Sequence, residues 1–344
     1  MLIMKCIETI HAVGHVLCHD LTRIVPGEMK DAQFRKGHIV TEEDIPVLLS
    51  MGKDRLFVWE RDEHTLHEDE AAERLADLCQ GAHMTRSKPK EGKIELCADC
   101  DGLFLVDVKR LDLLNDTDEV MVATRHTNTG VRTGDKLAGT RIIPLIIDER
   151  KIELLEQRVG KEPLLQLVPY RKGLRAGIVT TGNELSHHRI EDRFTPVVMR
   201  KLEAFGIETS AHEISDDEIT HIQAAIQKVR DTGVDLICCT GGMSVDPDDM
   251  TPAAIRASGA SIVTYGVPVL PGAMFLLAYY DDGVPVVGLP GCVMYARTSI
   301  FDLVLPRLAA GVRILRSDLT HLGNGGLCLQ CETCTFPNCG YGKE

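Results

Sequence analysis

Between residues 171 and 311 the chain switches repeatedly between two hydrophobic periods, and few folds accommodate that switching. AGIVTT and VDLICCT are short apolar runs of strand length, and IETSAHEI predicts a further strand. Between them, residues 195–206 and DDEITHIQAAIQKVRDTG carry helical spacing, the second with Ile219, Ile222, Ile226 and Val229 on one stripe. Residues 251–259 predict another helix, with Pro252 tolerated in its first turn. SIVTYGV, MFLLAYY and VPVVGLP predict three more strands, and residues 293–308 a closing helix. Strand alternating with helix predicts a mostly parallel sheet covered on both faces, a three-layer α/β/α domain. Aromatic residues are only 4% of the chain, so aliphatic side chains must fill that core. Open sheets of this kind bind ligands at the carboxyl ends of their strands, where TTGNEL, TGGMS and GLPG all fall.

The flanks read differently. Residues 1–170 form a turn-rich α+β region, and the 344 residues, 44% hydrophobic, suffice for two domains. TEEDIPVLLSMG, residues 41–52, predicts a short helix capped by Thr41, and RLFVWE a strand after it. Residues 69–81 repeat the helical pattern, with Ala72, Leu75 and Cys79 on one face. VMVATRH and GTRIIPLII predict strands. Residues 312–344 are a separate cysteine-rich tail. A net charge of −13 and no long run of Lys or Arg argue against nucleic acid and against anionic membranes as partners. No stretch approaches the roughly 18 apolar residues of a membrane span, and MLIMKCIETIHAVGH lacks the pattern of a secretory leader. The expected location is the cytoplasm, where the twelve cysteines stay reduced, buried or metal-bound.

Cys239–Pro252, CTGGMSVDPDDMTP, follows a buried strand and holds two features together. Gly241 and Gly242 let backbone N–H groups converge on an anion, although an ordinary strand-to-helix turn would look the same. Asp246, Asp248 and Asp249 are more carboxylates than one helix cap needs. Crowded carboxylates call for a cation, and Mg²⁺ bound to one or two acids plus phosphate oxygens satisfies both features. Asp216 and Asp217 open a helix, and one of them serves as its cap. Glu184, in TGNEL, falls at a strand end near the crevice, as a solvated loop acid also would. In the tail, Cys328, Cys331, Cys334 and Cys339 place four thiols within twelve residues, a set suited to Zn²⁺ or an iron–sulfur cluster. The lone pair Cys97 and Cys100 is explained by packing, and His187–His188 by a solvated loop.

TTGNEL, DDE at a helix start, GG followed by DMTP, PVLPG and GLPG, in this order over residues 171–311, resemble the molybdopterin-binding domain of molybdenum cofactor biosynthesis. That family includes molybdopterin adenylyltransferase and molybdopterin molybdotransferase. AVGHVLCHDL, KGHIVTEEDIPVLLSMG and GDKLAGTRIIPL are similar, more loosely, to the N-terminal part of the molybdotransferase. The resemblance implies that Asp249, Asp216 and Glu184 are the catalytic acids, serving Mg²⁺-dependent handling of an adenylylated pterin. It implies a cofactor site, for molybdopterin or the finished molybdenum cofactor, at Thr181, Gly182, Asn183, Thr240, Gly241, Gly242, Ser244, Asp246, Pro271, Gly272, Pro290 and Gly291. ATP or AMP, a homo-oligomer and a transferase of cofactor biosynthesis are implied with it.

The chain departs from the family at two places. VPVLPGAMF carries no lysine, and GLPG is followed by CVMYA, where Cys292 is a thiolate at a helix N-terminus or a small buried hydrophobe. These departures keep open a binding protein without chemistry, which carries, senses or inserts the cofactor for a client molybdoenzyme. An iron–sulfur protein on a borrowed fold is a third reading.

Overall fold

The computed structural model describes residues 3–25, 29–60, 64–187, 191–244, 246–247 and 249–343. By its contacts the chain forms two compact units. One comprises Met1–Asp99, Val106–Arg125 and Thr133–Gln166; the other comprises Cys100–Leu105, His126–Arg132 and Leu167–Glu344. Residues 312–343, expected as a third part, cluster with the second unit. Among the described residues no helix is long and apolar enough to cross a membrane.

The second unit is built on a six-stranded sheet. Its strands in chain order are β1 (Arg175–Thr181), β2 (Glu208–Ser215), β3 (Leu236–Thr240), β4 (Ser261–Tyr265), β5 (Leu276–Tyr279) and β6 (Pro285–Leu289). The spatial order is β2-β1-β3-β6-β5-β4, and only the β6–β5 and β5–β4 pairs are antiparallel. The helices are α1 (Asn183–Ser186), α2 (Thr195–Glu203), α3 (Ile219–Asp231), α4 (Thr251–Ala257), α5 (Ile300–Ala309) and α6 (Arg316–His321).

Alternation along the strands splits the burial between two layers. Ala176, Ile178, Leu236, Cys238, Val287 and Leu289 pack with Val198 and Leu202 of α2 and with Ile300, Phe301 and Val304 of α5. Val179, Ile237, Cys239 and Val286 pack with Ile222, Ile226 and Val229 of α3 and with Ala254 and Ile255 of α4. The expected three-layer α/β domain is present, and the stripe read on α3 is the face it buries.

Two expectations differ. The helix read over 293–308 is instead a 3₁₀ turn, Gly291–Met294, followed by α5. Ser299 restarts the helix: its Oγ accepts from the Phe301 amide, while Asp302 Oδ2 accepts from the Ser299 amide at 2.7 Å. The tail is also joined to the domain rather than separate from it. Leu270 and Leu327 form a parallel bridge, Cys328 N donates to Leu270 O at 2.8 Å, and Tyr341 is 4% exposed within the α2–α5 core.

In the first unit, Ile3–Glu8 pairs antiparallel with Arg55–Glu60 beside the helix Asp44–Ser50. Leu17, Leu21, Phe34, Leu48, Leu56 and Val58 fill that core. Thr41 does not cap the helix as expected; Asp44 accepts from both the amide and the hydroxyl of Thr41, each at 2.8 Å, which moves the start inward. A second sheet, in the order Met84–Arg86, Lys93–Ala98, Lys136–Ile142, Val120–Thr124, is antiparallel throughout. Helix Glu68–Cys79 buries Ala72, Leu75 and Cys79, the face read from the sequence. His67 caps this helix through Nδ1, which accepts from the Asp69 amide.

Glu68 follows that cap and is 8% exposed. Burial, then the neighbouring Asp69 charge, pushes its carboxyl up from 4.5 to about 7. The folded chain therefore holds a proton that the unfolded chain releases between these values. The group's contribution to stability is intact below pH 4.5 and is lost as the pH rises towards 7. Glu68→Gln should remove the dependence: urea denaturation should find the variant more stable than the parent by roughly 3 kcal/mol above about pH 8, and nearly equal to it below about pH 4.5.

Candidate functional site

Four parallel strands end at one edge, and their sequels form the site. These are Gly182 and α1 after β1, Asp216–Glu218 after β2, Gly241–Met250 after β3 and Pro290–Met294 after β6. Leu276 at the start of β5 pairs with Gly288 near the end of β6, so the preceding turn, Pro271–Gly272, reaches the same edge.

The double glycine is held by packing. Gly241 and Gly242 have φ of +85° and +53°, which glycine adopts without strain. A Cβ on Gly241 would collide with the Thr181 carbonyl oxygen, and one on Gly242 would lie 2.8 Å from Thr251 Oγ1. The Thr181 and Thr251 hydroxyls meet at 3.0 Å across this contact, joining the end of β1 to the start of α4. Tyr265, on β4, closes the turn from outside, donating to the carbonyls of Met243 at 3.1 Å and Ser244 at 3.2 Å. Burial raises the Tyr265 phenol, and the Asp249 charge adds to that.

The acids sort into different roles. Asp246 and Asp249 close a turn on each other: the Asp246 amide donates to Asp249 Oδ2 at 3.2 Å, and the Asp249 amide to the Asp246 carbonyl at 3.0 Å. Asp246 is exposed and Asp249 half-buried; Asp248 and His188 lie outside the described residues. Asp216 is the cap. It accepts from the Glu218 amide at 3.1 Å and pairs with His221 Nδ1 at 2.9 Å. The His221 bond, then the Glu218 amide, holds its carboxyl below the usual carboxylate range. Asp217, not Asp216, reaches the TGN turn, its Oδ2 accepting from the Asn183 amide at 2.9 Å. A cavity of about 210 Å³ lies there, lined by Asn183, Asp217, Glu218, Ile219, Thr220 and Met250. Glu184 is exposed in the first turn of α1 and lies outside that lining.

The other expected residues divide between edge and interior. Gly182, with φ of +145°, donates to the Ser215 carbonyl and ties β1 to β2. Ser244 and Gly291 are exposed, and nothing lies within 4 Å of a Cβ on Gly291. Pro290 is buried. The Pro271 carbonyl accepts from Ile300 N at 3.2 Å and from the Tyr341 hydroxyl at 3.4 Å, and Gly272 abuts Ile300. Thr240 is wholly buried, so its side chain is a strut of the sheet rather than a lining group; its hydroxyl has no partner among the described residues. Burial pushes the Cys292 thiol up, which supports the small packed hydrophobe of the two readings over the thiolate.

One cluster escaped the sequence reading. Thr180 Oγ1 meets Thr195 Oγ1 at 2.9 Å and His212 Nε2 at 3.0 Å, and Thr195 Oγ1 donates to Asp192 Oδ2 at 2.5 Å. Burial raises the Asp192 carboxyl, but the Thr195 hydroxyl and amide, the Phe194 amide and His212 together bring it below the usual range. An Asp three residues before a Thr-Pro helix start was the available signal.

The tail cysteines are unbridged. Cys328 and Cys339 are half-buried against the α2–α5 core, while Cys331 and Cys334 are exposed. Among the described residues no three of these four sulfurs lie within 4.8 Å of one another, so the expected ligand set is not gathered. Both ends of the segment are tied to the domain, whereas residues 329–335 between them are exposed and held at the Glu332 carbonyl by Arg297.

A mostly parallel sheet between two helical layers, with an acid-lined crevice at its carboxyl edge, makes this a three-layer α/β domain. Residues 177–310 match the family described as "Probable molybdopterin binding domain", and this segment is a molybdopterin-binding-family domain. Residues 6–60 match a family described as a domain of unknown function. A CinA-like protein of Mycobacterium tuberculosis is 37% identical over 90 residues, 26% of this chain and 21% of that protein. The chain thus spans about a fifth of the length of the curated relatives it matches. Among solved structures, the molybdopterin biosynthesis enzyme MoaB from Thermus thermophilus is similar at 24% identity and a TM-score of 0.33, over 39% of this chain and 91% of that one. A molybdenum cofactor biosynthesis protein from Pyrococcus furiosus is similar at 11% identity and a TM-score of 0.27, over 91% of this chain and 65% of that one.

The two exposed-edge glycines make a direct test of the packing. Gly241→Ala should lower stability in urea denaturation by roughly 2–4 kcal/mol, from the positive φ and the collision with Thr181. Gly291→Ala, which meets nothing, should stay within about 0.5 kcal/mol of the parent.

Proposed function

We propose that the second unit binds molybdopterin, or the molybdenum cofactor, at the carboxyl edge of its sheet, and acts in molybdenum cofactor biosynthesis. The observation that carries this reading is the Asn183–Asp217 bond at 2.9 Å beside the acid-lined cavity, inside the segment that matches the molybdopterin-binding family. A cavity of about 210 Å³ is smaller than a usual ligand cleft. It suits a phosphate and a hydrated cation, with the rest of a pterin over the open edge by Gly291.

Carboxylates and phosphate repel each other unless a cation lies between them. Asp217 and Glu218 would hold Mg²⁺ there, and the metal would neutralise the phosphate oxygens of an adenylylated pterin. The chain's own part is positional. Asn183 is fixed through its amide, Asp216 is turned away by His221, and Tyr265 fixes the carbonyls of the Gly241–Ser244 turn. In this reading the protein is a transferase that makes or breaks a pterin–phosphate–AMP linkage, with ATP or AMP as second ligand.

A carrier without chemistry is the second reading, and two features favour it. Asp249 is folded back on the Asp246 amide, and VPVLPGAMF offers no cation to a molybdate. Such a carrier would hand the cofactor to a client molybdoenzyme.

Calorimetric titration with molybdopterin and AMP, with and without Mg²⁺, tests the site. Asp217→Asn should weaken the Mg²⁺-dependent binding about 30-fold, the loss of one charge-assisted contact, and Asp216→Asn less than about 3-fold. Equal losses in the two variants, or no response to Asp217, would discard the assignment. ATP-dependent turnover of bound pterin selects the transferase; retained pterin without turnover selects the carrier.

A further inference from the structure

We propose that Cys328, Cys331, Cys334 and Cys339 bind one thiolate-ligated metal centre, Zn²⁺ or an iron–sulfur cluster, and that this centre fastens the tail to the Pro271 turn of the domain. The proposal is independent of the pterin reading, because it rests on other residues.

The backbone brings the two ends of the cysteine segment together. Gly342 N donates to Gly325 O at 2.9 Å, and a Cβ on Gly325 would collide with the Lys343 carbonyl oxygen. Cys328 lies three residues inside one end and Cys339 three inside the other. Both half-bury against the same apolar cluster as Phe336 and Tyr341, so two ligands are anchored on one surface. Cys328 is held further by its amide bond to Leu270 and by its sulfur, 3.6 Å from Thr298 Oγ1.

The run between the anchors has no core. Residues 329–335 are all exposed, Leu329 at 78%, and Arg297 reaches them, its Nη1 donating to the Glu332 carbonyl at 2.7 Å. A stretch this short and exposed cannot order itself by burial, and chains of this kind are held by disulfides or metals. No disulfide is formed among the described cysteines. Cys331 and Cys334 are the two thiols on this exposed run, and they can swing onto a metal held by the anchored pair. Four thiolates with no carboxylate or imidazole favour soft or borderline metals over Mg²⁺ or Ca²⁺.

The test uses the full chain purified without oxygen. Elemental analysis should find about one zinc per chain, or iron with matching acid-labile sulfide and broad visible absorbance; the two results separate the metals. Cys331→Ser/Cys334→Ser should lose that metal, while Cys6→Ser, at an exposed thiol elsewhere, should keep it. The unmutated chain gives a second readout that does not depend on a variant folding. Alkylation of Cys331 and Cys334, followed by mass spectrometry, should be at least about 10-fold slower in the loaded protein than after metal removal, with Cys6 unchanged. The proposal fails if neither zinc nor iron is found and added Zn²⁺ does not protect these thiols. Metal retained in the double variant, or a disulfide among the four cysteines in the oxygen-free sample, would overturn it as well.

Discussion

The contact between the end of β1 and the double glycine after β3 is the constraint on which the candidate site depends. Thr181 presents its carbonyl to Gly241 and its hydroxyl to Thr251, so two adjacent strands and α4 meet with only the two threonine hydroxyls beside the glycine backbone. Any Cβ at Gly241 would push β3 away from β1, and the turns that follow both strands would separate with it. The glycines are therefore required first by backbone approach. An anion nest at the same corner is a second use of a conformation that packing already demands.

Around that corner the charges are arranged by small local bonds. Asp216 and Asp217 are chemically the same and adjacent, yet His221, five residues on, takes Asp216 and leaves Asp217 to the Asn183 amide. On the far side, Asp246 and Asp249 occupy each other through a turn. The acids that look like one cluster in the sequence are thus divided: Asp216 pairs with His221 in the turn before α3, Asp217 lines the cavity, and Asp249 holds a loop by accepting from the Asp246 amide. A net charge of −13 gives the protein no general attraction for phosphate. Binding of an anionic cofactor at this edge would have to come from local dipoles and a cation.

The central strands were legible because AGIVTT and VDLICCT are apolar runs that stop at glycines, and α3 because its isoleucines keep a strict stripe; the edge strand β2 carries polar residues throughout. Other features needed three-dimensional information. Residues 293–308 contain enough helix formers to mask the break before Ser299, although the capping signature S-x-x-D was present there. Thr240 reads as a polar strand end beside a glycine turn, and only its neighbours β1 and β6 show that it is wholly buried. His212 and Asp192 meet through Thr195, and nothing in their spacing of twenty residues announces it. The tail carries no hydrophobic period at all, so its docking could not be read from pattern.

That docking changes what counts as the domain. The family match ends at residue 310, but the Pro271 carbonyl is shared between Ile300 N and the Tyr341 hydroxyl, and Tyr341 is buried in the same core as α2 and α5. The turn at the crevice edge is thus supported from within by a family segment and from outside by the tail. Removing the tail would expose the apolar contacts of Leu319 and Tyr341 and take the Tyr341 hydroxyl from the Pro271 carbonyl, leaving it the Ile300 amide. Residues 312–343 are on this ground part of the folding unit that presents the site. A change in the order of the tail acts on the Pro271 turn through the Pro271 carbonyl and the backbone bonds of Leu270 to Gly326 and Cys328; the residues lining the acid-lined cavity all lie before residue 251.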